Sequence, residues 1–459
     1  MFKRRALAPI VLLTLAGLAC NALSPATPTP AVTPPATVAP TRTAPVTAAP
    51  SESPSADLPS PTPTIRLSHT DTPTPPVTPP APEGDPLPHL SAGTPVDILS
   101  VNMLDDTHGW AVGRAEGDLN DHILRTTDGG ATWRDVTPPE PEGSAGAGRA
   151  AVAHFAGDHA WAAYFDRDFS TALAAYVWRT NDGGASWAHG NPLDMSDMEF
   201  FTISDLHFAG PEAGWLLAHV GAGMNHDYVI MFATDDGGAT WTRTVDPFDI
   251  REDNLQMSCF KTGVGFRSAE TGWVTGDCQG VAPGFFLQRT DDGGVTWRPE
   301  SLPPPAAMPN AFERQDGSCG TYTPTRFETS PPQFRLVLIC SFYEDTLVTT
   351  HFLYATPDGG ATWETRPLPA PLVSWLTPSE GWAVHAPDPN NPGLLRPLYH
   401  TTDAGATWTE INAVAWSASL DFTSSTLGWA VALAGDESAL VRSDDGGASW
   451  EVVEAVVGP

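Results

Sequence analysis

Residues 91–459 alternate short apolar runs with turns that contain Gly and Asp, and this pattern repeats along the chain. One run has the form GWAVG and occurs, with variations, at 109–113, 160–164, 214–218, 272–276, 381–385 and 428–432. The fifth repeat has QFRLVLIC (333–340) in its place. Short runs of β-branched, aromatic and other apolar residues between turn residues are typical of β-strands. The pattern therefore predicts an all-β domain made of repeated units.

A turn of the form Ser/Thr-x-Asp-x-Gly-x-Ser/Thr-Trp recurs seven times, after each of these runs. Its central aspartates are Asp128, Asp182, Asp236, Asp292, Asp358, Asp403 and Asp445. Its final tryptophans are Trp133, Trp187, Trp241, Trp297, Trp363, Trp408 and Trp450. Gly in such a turn can adopt positive φ, and the carboxylate can accept hydrogen bonds from the amides of its own turn. We therefore expect both sets of residues to be structural.

The spacing of the turns predicts the architecture. Successive aspartates are 54, 54, 56, 66, 45 and 42 residues apart, a period found in propellers and solenoids. A further strand-like run precedes each GWAVG-type run, which gives four strands, A to D, in every unit. The sequence thus predicts a seven-bladed β-propeller over residues 91–459, with one Asp turn per blade joining strands C and D.

The turn resembles the Asp box, or BNR repeat, of sialidases and related propellers. Together with the GWAVG-type run, residues 96–457 are most similar to the photosystem II stability/assembly factor family, whose members are secreted or lumenal seven-bladed propellers. The resemblance implies a role connected with photosynthesis, as a protein-binding or assembly scaffold without catalytic activity, cofactor or metal.

An exported glycan-active enzyme, sialidase-like or another glycoside hydrolase with Asp boxes, is the alternative. Sialidases carry an Arg-Ile-Pro motif in an early blade, and this sequence has none. Glycoside hydrolysis needs only two suitably spaced carboxyl groups, which an acid-rich sequence leaves open. The histidines show no zinc-binding spacing and are expected on the surface or in the core, including His207, His219, His226, His385 and His400.

The N-terminus predicts export. Residues 1–20 join a basic start (Lys3, Arg4 and Arg5) to an apolar stretch that ends in Ala19-Cys20, which is typical of a secretory signal. The end of this stretch resembles a bacterial lipobox, which implies lipidation of Cys20 and an extracytoplasmic, membrane-anchored protein. The alternative is an ordinary cleaved signal.

Residues 21–90 contain 20 Pro, 13 Thr and no aromatic residue, so they cannot bury enough apolar area to fold. We expect a disordered, semi-rigid tether in this segment.

The charge of the chain restricts its partners. The net charge is −31, and because the charges of residues 1–20 and 21–90 cancel, all of it belongs to residues 91–459. Nucleic acids and anionic lipid headgroups require clusters of Lys and Arg, so both are excluded as partners. We expect a monomer with a protein or glycan partner.

Four cysteines remain after Cys20, and they allow three disulfide connectivities. Cys259 and Cys278 flank the predicted A–B hairpin of blade four, and Cys319 and Cys340 flank that of blade five. We favour these two local pairs, because an exported protein is oxidised. Free thiols are the alternative.

Long irregular loops are expected on the face opposite the Asp turns, at 138–150, 165–175, 219–227, 246–258, 298–318 and 386–397. Variable loops on a rigid scaffold usually carry binding function. The candidate binding residues on this face are Asp166, Arg167, Asp168, Phe169, His226, Arg251, Glu252 and Asp253.

Overall fold

The computed structural model describes residues 82, 84–142, 148–167, 174–278, 284–327, 333–386, 391, 393–435 and 437–459. The predicted signal with Cys20 and most of the predicted tether lie outside these residues, as do Asp168 and Phe169. The described residues form strands and turns without a helix. None of them therefore forms a helix of the length and hydrophobicity that a membrane crossing requires.

Seven sheets, each built on four antiparallel strands, make the blades of a seven-bladed β-propeller. Blades one and two consist of β1 (Val96–Met103), β2 (Gly109–Ala115), β3 (His122–Thr126) and β4 (Thr132–Asp135), then β5 (Arg149–Ala156), β6 (His159–Asp166), β8 (Val177–Thr180) and β9 (Ala188–His189). Two further short strands, β7 (Ala174–Ala175) and β10 (Leu193–Asp194), pair with each other. Blades three and four consist of β11 (Thr202–Phe208), β12 (Gly214–Gly223), β13 (His226–Thr234) and β14 (Thr242–Val245), then β15 (Phe260–Phe266), β16 (Gly272–Asp277), β17 (Phe286–Thr290) and β18 (Arg298–Pro299).

Blades five to seven follow the same order. They consist of β19 (Gly317–Phe327), β20 (Gln333–Tyr343), β21 (Leu347–Thr356) and β22 (Glu364–Leu368), then β23 (Leu372–Trp375), β24 (Gly381–Val384), β25 (Arg396–Thr401) and β26 (Thr409–Val414), then β27 (Ser417–Phe422), β28 (Gly428–Ala434), β29 (Glu437–Ser443) and β30 (Glu451–Val452). The first strand of each blade, strand A, neighbours strand A of the next blade around the central channel, as β11 and β15 do. We call the face with the Asp turns the Asp-box face and the opposite one the loop face.

Aromatic stacking between blades builds the core. In four blades the Trp of strand B stacks on the last aromatic residue of strand A in the next blade, as Trp161 does on Phe208 with ring centroids 3.9 Å apart. Its indole N–H donates to a Gly carbonyl in the Asp turn of that next blade, at 2.9 Å from Trp161 to Gly237. The same bond closes the ring from blade seven to blade one, at 3.0 Å between Trp429 and Gly129. Trp110 donates instead to Gly157 and Trp273 to Glu300, so this bond to the Asp turn of the next blade is made by four of the strand-B tryptophans.

The C-terminus completes blade one. Strand β31 (Val456–Val457) pairs in parallel with β4, and Val456 also bridges Pro95. The amide of Val96 donates to the carbonyl of Ala455 at 3.0 Å. Both ends of the propeller are therefore fixed in one sheet.

The last residues that the sequence assigns to the tether lie against blade one. The amide of Leu87 donates to the carbonyl of Glu140 at 2.7 Å, and that of Leu90 to a carboxylate oxygen of Asp135 at 2.8 Å. Leu87 is buried, which gives this short stretch its own anchor in the core.

All seven Asp turns share one hydrogen-bond pattern. In blade two, one carboxylate oxygen of Asp182 accepts from the Thr180 hydroxyl at 2.7 Å and the Ser186 amide at 2.9 Å, and the other accepts from the Ser186 hydroxyl at 2.5 Å. The same three bonds occur at Asp128, Asp236, Asp292, Asp358, Asp403 and Asp445. The aspartates therefore hold their turns closed.

These turns predict acid sensitivity. The Ser186 hydroxyl and amide lower the pKa of Asp182 from 3.8 to about 2, and the pKa values of the other six aspartates are also lowered. A carboxyl group whose pKa is depressed on folding contributes stability above its unfolded pKa and loses it as the pH falls through the folded pKa. Thermal denaturation should therefore give a nearly constant Tm from pH 7 to about 5 and a steep fall between about 4 and 2. A Tm that stays constant down to pH 2.5 contradicts this role of the turns.

Both cysteine pairs that the sequence favours are disulfide-bonded across A–B hairpins. Cys259 pairs with Cys278 in blade four, and Cys319 with Cys340 in blade five.

Arg335 interrupts the stacking pattern in blade five. It pairs with Ala355 in the register position that Trp110 occupies opposite Arg125 in blade one. Its guanidinium lies 4.0 Å from the ring centroid of Trp375 and donates to the carbonyl of Pro378. Arg335 is only 4% exposed, and its Nε and Nη1 have no hydrogen-bond partner among the described residues. Burial lowers the pKa of this guanidinium to about 10, which reflects the missing counter-charge.

Arg335→Trp should stabilise the protein. It restores the residue of the repeat and removes a buried cation with unpaired donors, each of which costs about 1–3 kcal/mol. A neighbouring cavity of about 340 Å³ gives room for the indole. In urea denaturation we expect the free energy of unfolding to rise by about 1–3 kcal/mol. Arg335→Met is the matched control for loss of charge alone, and a Trp variant less stable than wild type contradicts the prediction.

Candidate functional site

The structure separates the residues that the sequence places on the binding face. Asp166 is buried and pairs with Arg149 at 2.7 Å, and Arg167 pairs with Asp121 at 2.8 Å. His226 is exposed at the start of β13. Arg251 pairs with Asp249 at 2.6 Å, and Glu252 and Asp253 are exposed beside it. Asp166 and Arg167 thus belong to an ion-pair network, and the remaining described candidates stay a prediction for the loop face.

That ion-pair network crosses blades one and two. Arg149 binds both Glu140 and Asp166, and the indole N–H of Trp178 donates to Glu140 at 2.6 Å. Glu140 is 1% exposed, and burial raises its pKa although Arg149 opposes the shift. The Arg167–Asp121 pair joins blade two to blade one in this network.

A different polar cluster lies on the channel wall of blades three to five. Ser204 is exposed on strand A of blade three, beside a register shift between Ile203 and Asp205. Its hydroxyl lies 3.0 Å from Nε2 of His219 on the adjacent strand B. Nδ1 of His219 lies 2.8 Å from a carboxylate oxygen of Asp227, which is 1% exposed. Because a carboxylate can only accept, Nδ1 carries a proton, and Nε2 can then accept from the Ser204 hydroxyl, which also donates to the Leu217 carbonyl at 3.4 Å.

Blade four fixes this cluster from the other side. The amide of Lys261 donates to the second carboxylate oxygen of Asp227 at 2.7 Å, and the ring of Phe260 stacks on His219 with centroids 5.2 Å apart. Lys261 is 2% exposed, and its ammonium donates to three backbone carbonyls, among them that of Cys259. The imidazole is thereby held in one orientation.

Blades four and five add a phenol and a carboxylate. The hydroxyl of Tyr322, on β19, donates to a carboxylate oxygen of Asp277 at 2.7 Å. Asp277 is paired in register with Phe260, next to the Cys259–Cys278 disulfide. Burial, together with the charge of Asp277, raises the pKa of Tyr322, so the phenol keeps its proton.

Asp205 completes the wall. Burial raises its pKa and outweighs the bonds from Ser204 and the Val264 amide. A raised pKa is a property that suits a carboxyl group to act as a general acid. Within the described parts of the chain, no group of three His, Cys, Asp or Glu side chains is placed to hold a metal ion.

The sequence pattern did not predict this cluster of polar residues. His219 was expected on the surface or in the core, and Ser204, Asp205, Asp227, Asp277 and Tyr322 had no assigned role. These residues come from different strands, and only strand register brings them together. A His at the end of strand B, paired with Thr202 two residues before Ser204 in strand A, is the one local signal that could have suggested the cluster.

Comparison with known proteins gives partial matches. No protein-family model matches the chain. A xyloglucanase from Paenibacillus sp. is 30% identical over 135 residues, which cover 28% of this chain and 12% of that enzyme. An ancestral GH74 enzyme has a TM-score of 0.43 at 13% identity, covering 81% of this chain and 48% of that one. An α-L-arabinanase from Penicillium chrysogenum has a TM-score of 0.34 at 12% identity, covering 81% of this chain and all of that one.

These matches correct the functional expectation. The expected non-enzymatic assembly scaffold is wrong, because the relative found by sequence is a xyloglucanase. The resemblance to photosystem II assembly factors has no support beyond the propeller fold. The similarity favours the alternative, a glycan-active enzyme.

Proposed function

We propose that this protein is an exported enzyme that cleaves a polysaccharide, with the channel wall of blades three to five as its active site. The observation that carries the proposal is the pair formed by Tyr322 and Asp277, 2.7 Å apart and contributed by two blades. The partial similarity to a xyloglucanase supports the glycan as substrate.

The pair has the chemistry of an activated nucleophile. A protonated phenol is a weak nucleophile, and a carboxylate in hydrogen-bond contact can take its proton as the oxygen attacks. In the proposed reaction, Tyr322 attacks the anomeric carbon and its proton passes to Asp277. Asp205, as the neutral acid, protonates the departing sugar oxygen. Asp205 then accepts a proton from the water that hydrolyses the glycosyl–tyrosine bond, and Asp277 returns the proton to the phenol.

The charge of the protein favours a neutral polysaccharide. The net charge of −31 belongs to the residues of the propeller, so an anionic glycan is repelled at long range. A sialoside also carries a carboxylate, which makes it a poor substrate for this wall.

The N-terminal sequence supports an extracytoplasmic location for this activity. We propose that Cys20 is lipidated, and that the Pro- and Thr-rich segment holds the enzyme away from the membrane on its extracytoplasmic side.

A panel of polysaccharides tests the proposal. The full chain is incubated with neutral glycans (xyloglucan, arabinan, xylan and mixed-linkage glucan) and with anionic ones (pectate and a sialylated glycoprotein), and new reducing ends are counted. We expect cleavage of at least one neutral glycan and none of the anionic ones. A folded protein that cleaves no member of the panel overturns the proposal.

A further inference from the structure

We propose that Ser204 is the nucleophile of a second hydrolytic centre, assisted by His219 and Asp227, that cleaves carboxylic esters such as the acyl groups of an acylated glycan. The glycan part rests on the proposed function, whereas the serine chemistry rests on the geometry of blade three alone.

The three side chains form a continuous hydrogen-bonded chain. Ser204 lies 3.0 Å from Nε2 of His219, and Nδ1 of His219 lies 2.8 Å from Asp227. A nucleophile within reach of a base, which is itself oriented by a third group, defines nucleophilic catalysis by geometry rather than by sequence order.

The exposure of the three side chains decreases from Ser204 to Asp227, as nucleophilic catalysis requires. Ser204 is exposed to the channel, the His219 side chain is 14% exposed, and that of Asp227 is 1% exposed. The nucleophile can therefore meet a substrate while the carboxylate stays shielded. Asp227 and Lys261 act as positioning residues, since the Lys261 amide fixes the carboxylate that orients the ring.

A similar hydrogen-bonded series of side chains in blade one is buried. Nδ1 of His122 lies 2.8 Å from Asp135 and 3.3 Å from the Thr137 hydroxyl. His122 is fully buried and Thr137 is 2% exposed, so no substrate reaches the hydroxyl. Although burial opposes it, hydrogen bonds to Asp118 and Asp135 raise the pKa of His122 to about 9, so the ring is already protonated and is no base. The exposure of Ser204 therefore distinguishes the series in blade three from the buried one in blade one.

Asp205 is the carboxyl group beside the nucleophile. It is bonded to Ser204, and burial raises its pKa, which favours the neutral carboxylic acid. A neutral acid leaves the Ser204 oxygen free of the repulsion that a carboxylate would impose on a developing oxyanion.

The reaction balances with water as the only co-reactant. Ser204 Oγ attacks the ester carbonyl carbon while its proton moves to Nε2 of His219. The sugar oxygen then leaves with that proton, and an acyl–serine remains. Water gives a proton to His219, attacks the acyl carbon and releases the carboxylic acid, and the proton returns to Ser204 Oγ.

A fluorophosphonate probe tests the nucleophile in the full chain. We expect the probe to label wild type on the peptide that contains Ser204, as located by mass spectrometry, and not to label Ser204→Ala. With p-nitrophenyl acetate, Ser204→Ala and His219→Gln should lose activity by on the order of 100-fold or more. Ser419→Ala is the matched control, because Ser419 is an exposed strand-A serine that stands opposite Val431 rather than a histidine. It should keep both labelling and rate.

The outcomes separate the two proposals. Absence of label on Ser204 in folded wild-type protein overturns the serine centre. A wild-type rate of p-nitrophenyl acetate hydrolysis in Ser204→Ala also overturns it. Acetate release from acetylated xylan by wild type and not by Ser204→Ala supports the glycan ester. Labelling without acetate release from any acetylated glycan overturns the glycan part alone. Failure of the polysaccharide panel while Ser204 is labelled overturns the proposed function alone.

Discussion

Tyr322→Phe should lower kcat for polysaccharide cleavage by about 10²–10⁴-fold while KM changes little. The substitution removes only the phenolic oxygen that donates to Asp277 at 2.7 Å and leaves the ring that shapes the channel wall. An interaction that acts in the transition state and not in substrate binding affects kcat alone. Steady-state kinetics on the best neutral substrate of the panel measure both constants.

Two further variants make this result specific. Asp277→Asn should lose a similar factor, because an amide cannot accept the proton of the phenol. Tyr343→Phe is the matched control, since Tyr343 is 66% exposed on β20. Wild-type kcat in Tyr322→Phe, or an equal loss in Tyr343→Phe, contradicts the assignment of Tyr322 as nucleophile.

Arg149→Met should destabilise the propeller by about 3–5 kcal/mol. Arg149 is 6% exposed and is the shared partner of Glu140 and Asp166, which are themselves buried. Its removal takes the ion-pair partner from the buried Glu140 in a region that excludes water, and that penalty exceeds the cost of lost packing. Urea denaturation followed by Trp fluorescence measures the change.

An exposed ion pair is the control for this variant. The Arg298 side chain is 54% exposed and pairs with Asp291 at 2.7 Å, so Arg298→Met should change the free energy of unfolding by at most about 1 kcal/mol. Similar losses in the two variants would mean that burial does not set the value of the Arg149 network.

The architecture could be predicted because its signals are local. Each Asp turn carries its own hydrogen-bond pattern within eight residues, and six of the seven B strands carry a tryptophan. Seven copies of such a unit can bury their apolar faces only against one another, so the repeat alone determines the ring.

Departures from the repeat are harder to interpret. The run at 333–340 was recognised as an exception, but that Arg335 takes the tryptophan position follows only from the register with β21. Asp166 was expected at a binding surface because it lies in a predicted loop, whereas it pairs with Arg149 inside the protein. Sequence gives the charge of a residue and not its burial.

The candidate site was hidden for a similar reason. Ser204, His219 and Asp227 come from three strands of one blade, and Tyr322 and Asp277 come from two others. The register shift at Ser204 has no sequence signature such as Gly. The contacts between blades that orient His219 join residues far apart in the chain, which periodicity cannot predict.

Trapping the glycosyl–enzyme intermediate tests the central claim most directly. The full chain is incubated with a 2-fluoro glycosyl fluoride of the sugar that wild type releases, and the adduct is located by peptide mass spectrometry. We predict one adduct, on the oxygen of Tyr322, and its loss in Tyr322→Phe. An adduct on a different residue, or continued cleavage without any adduct, contradicts the proposed chemistry of the channel wall.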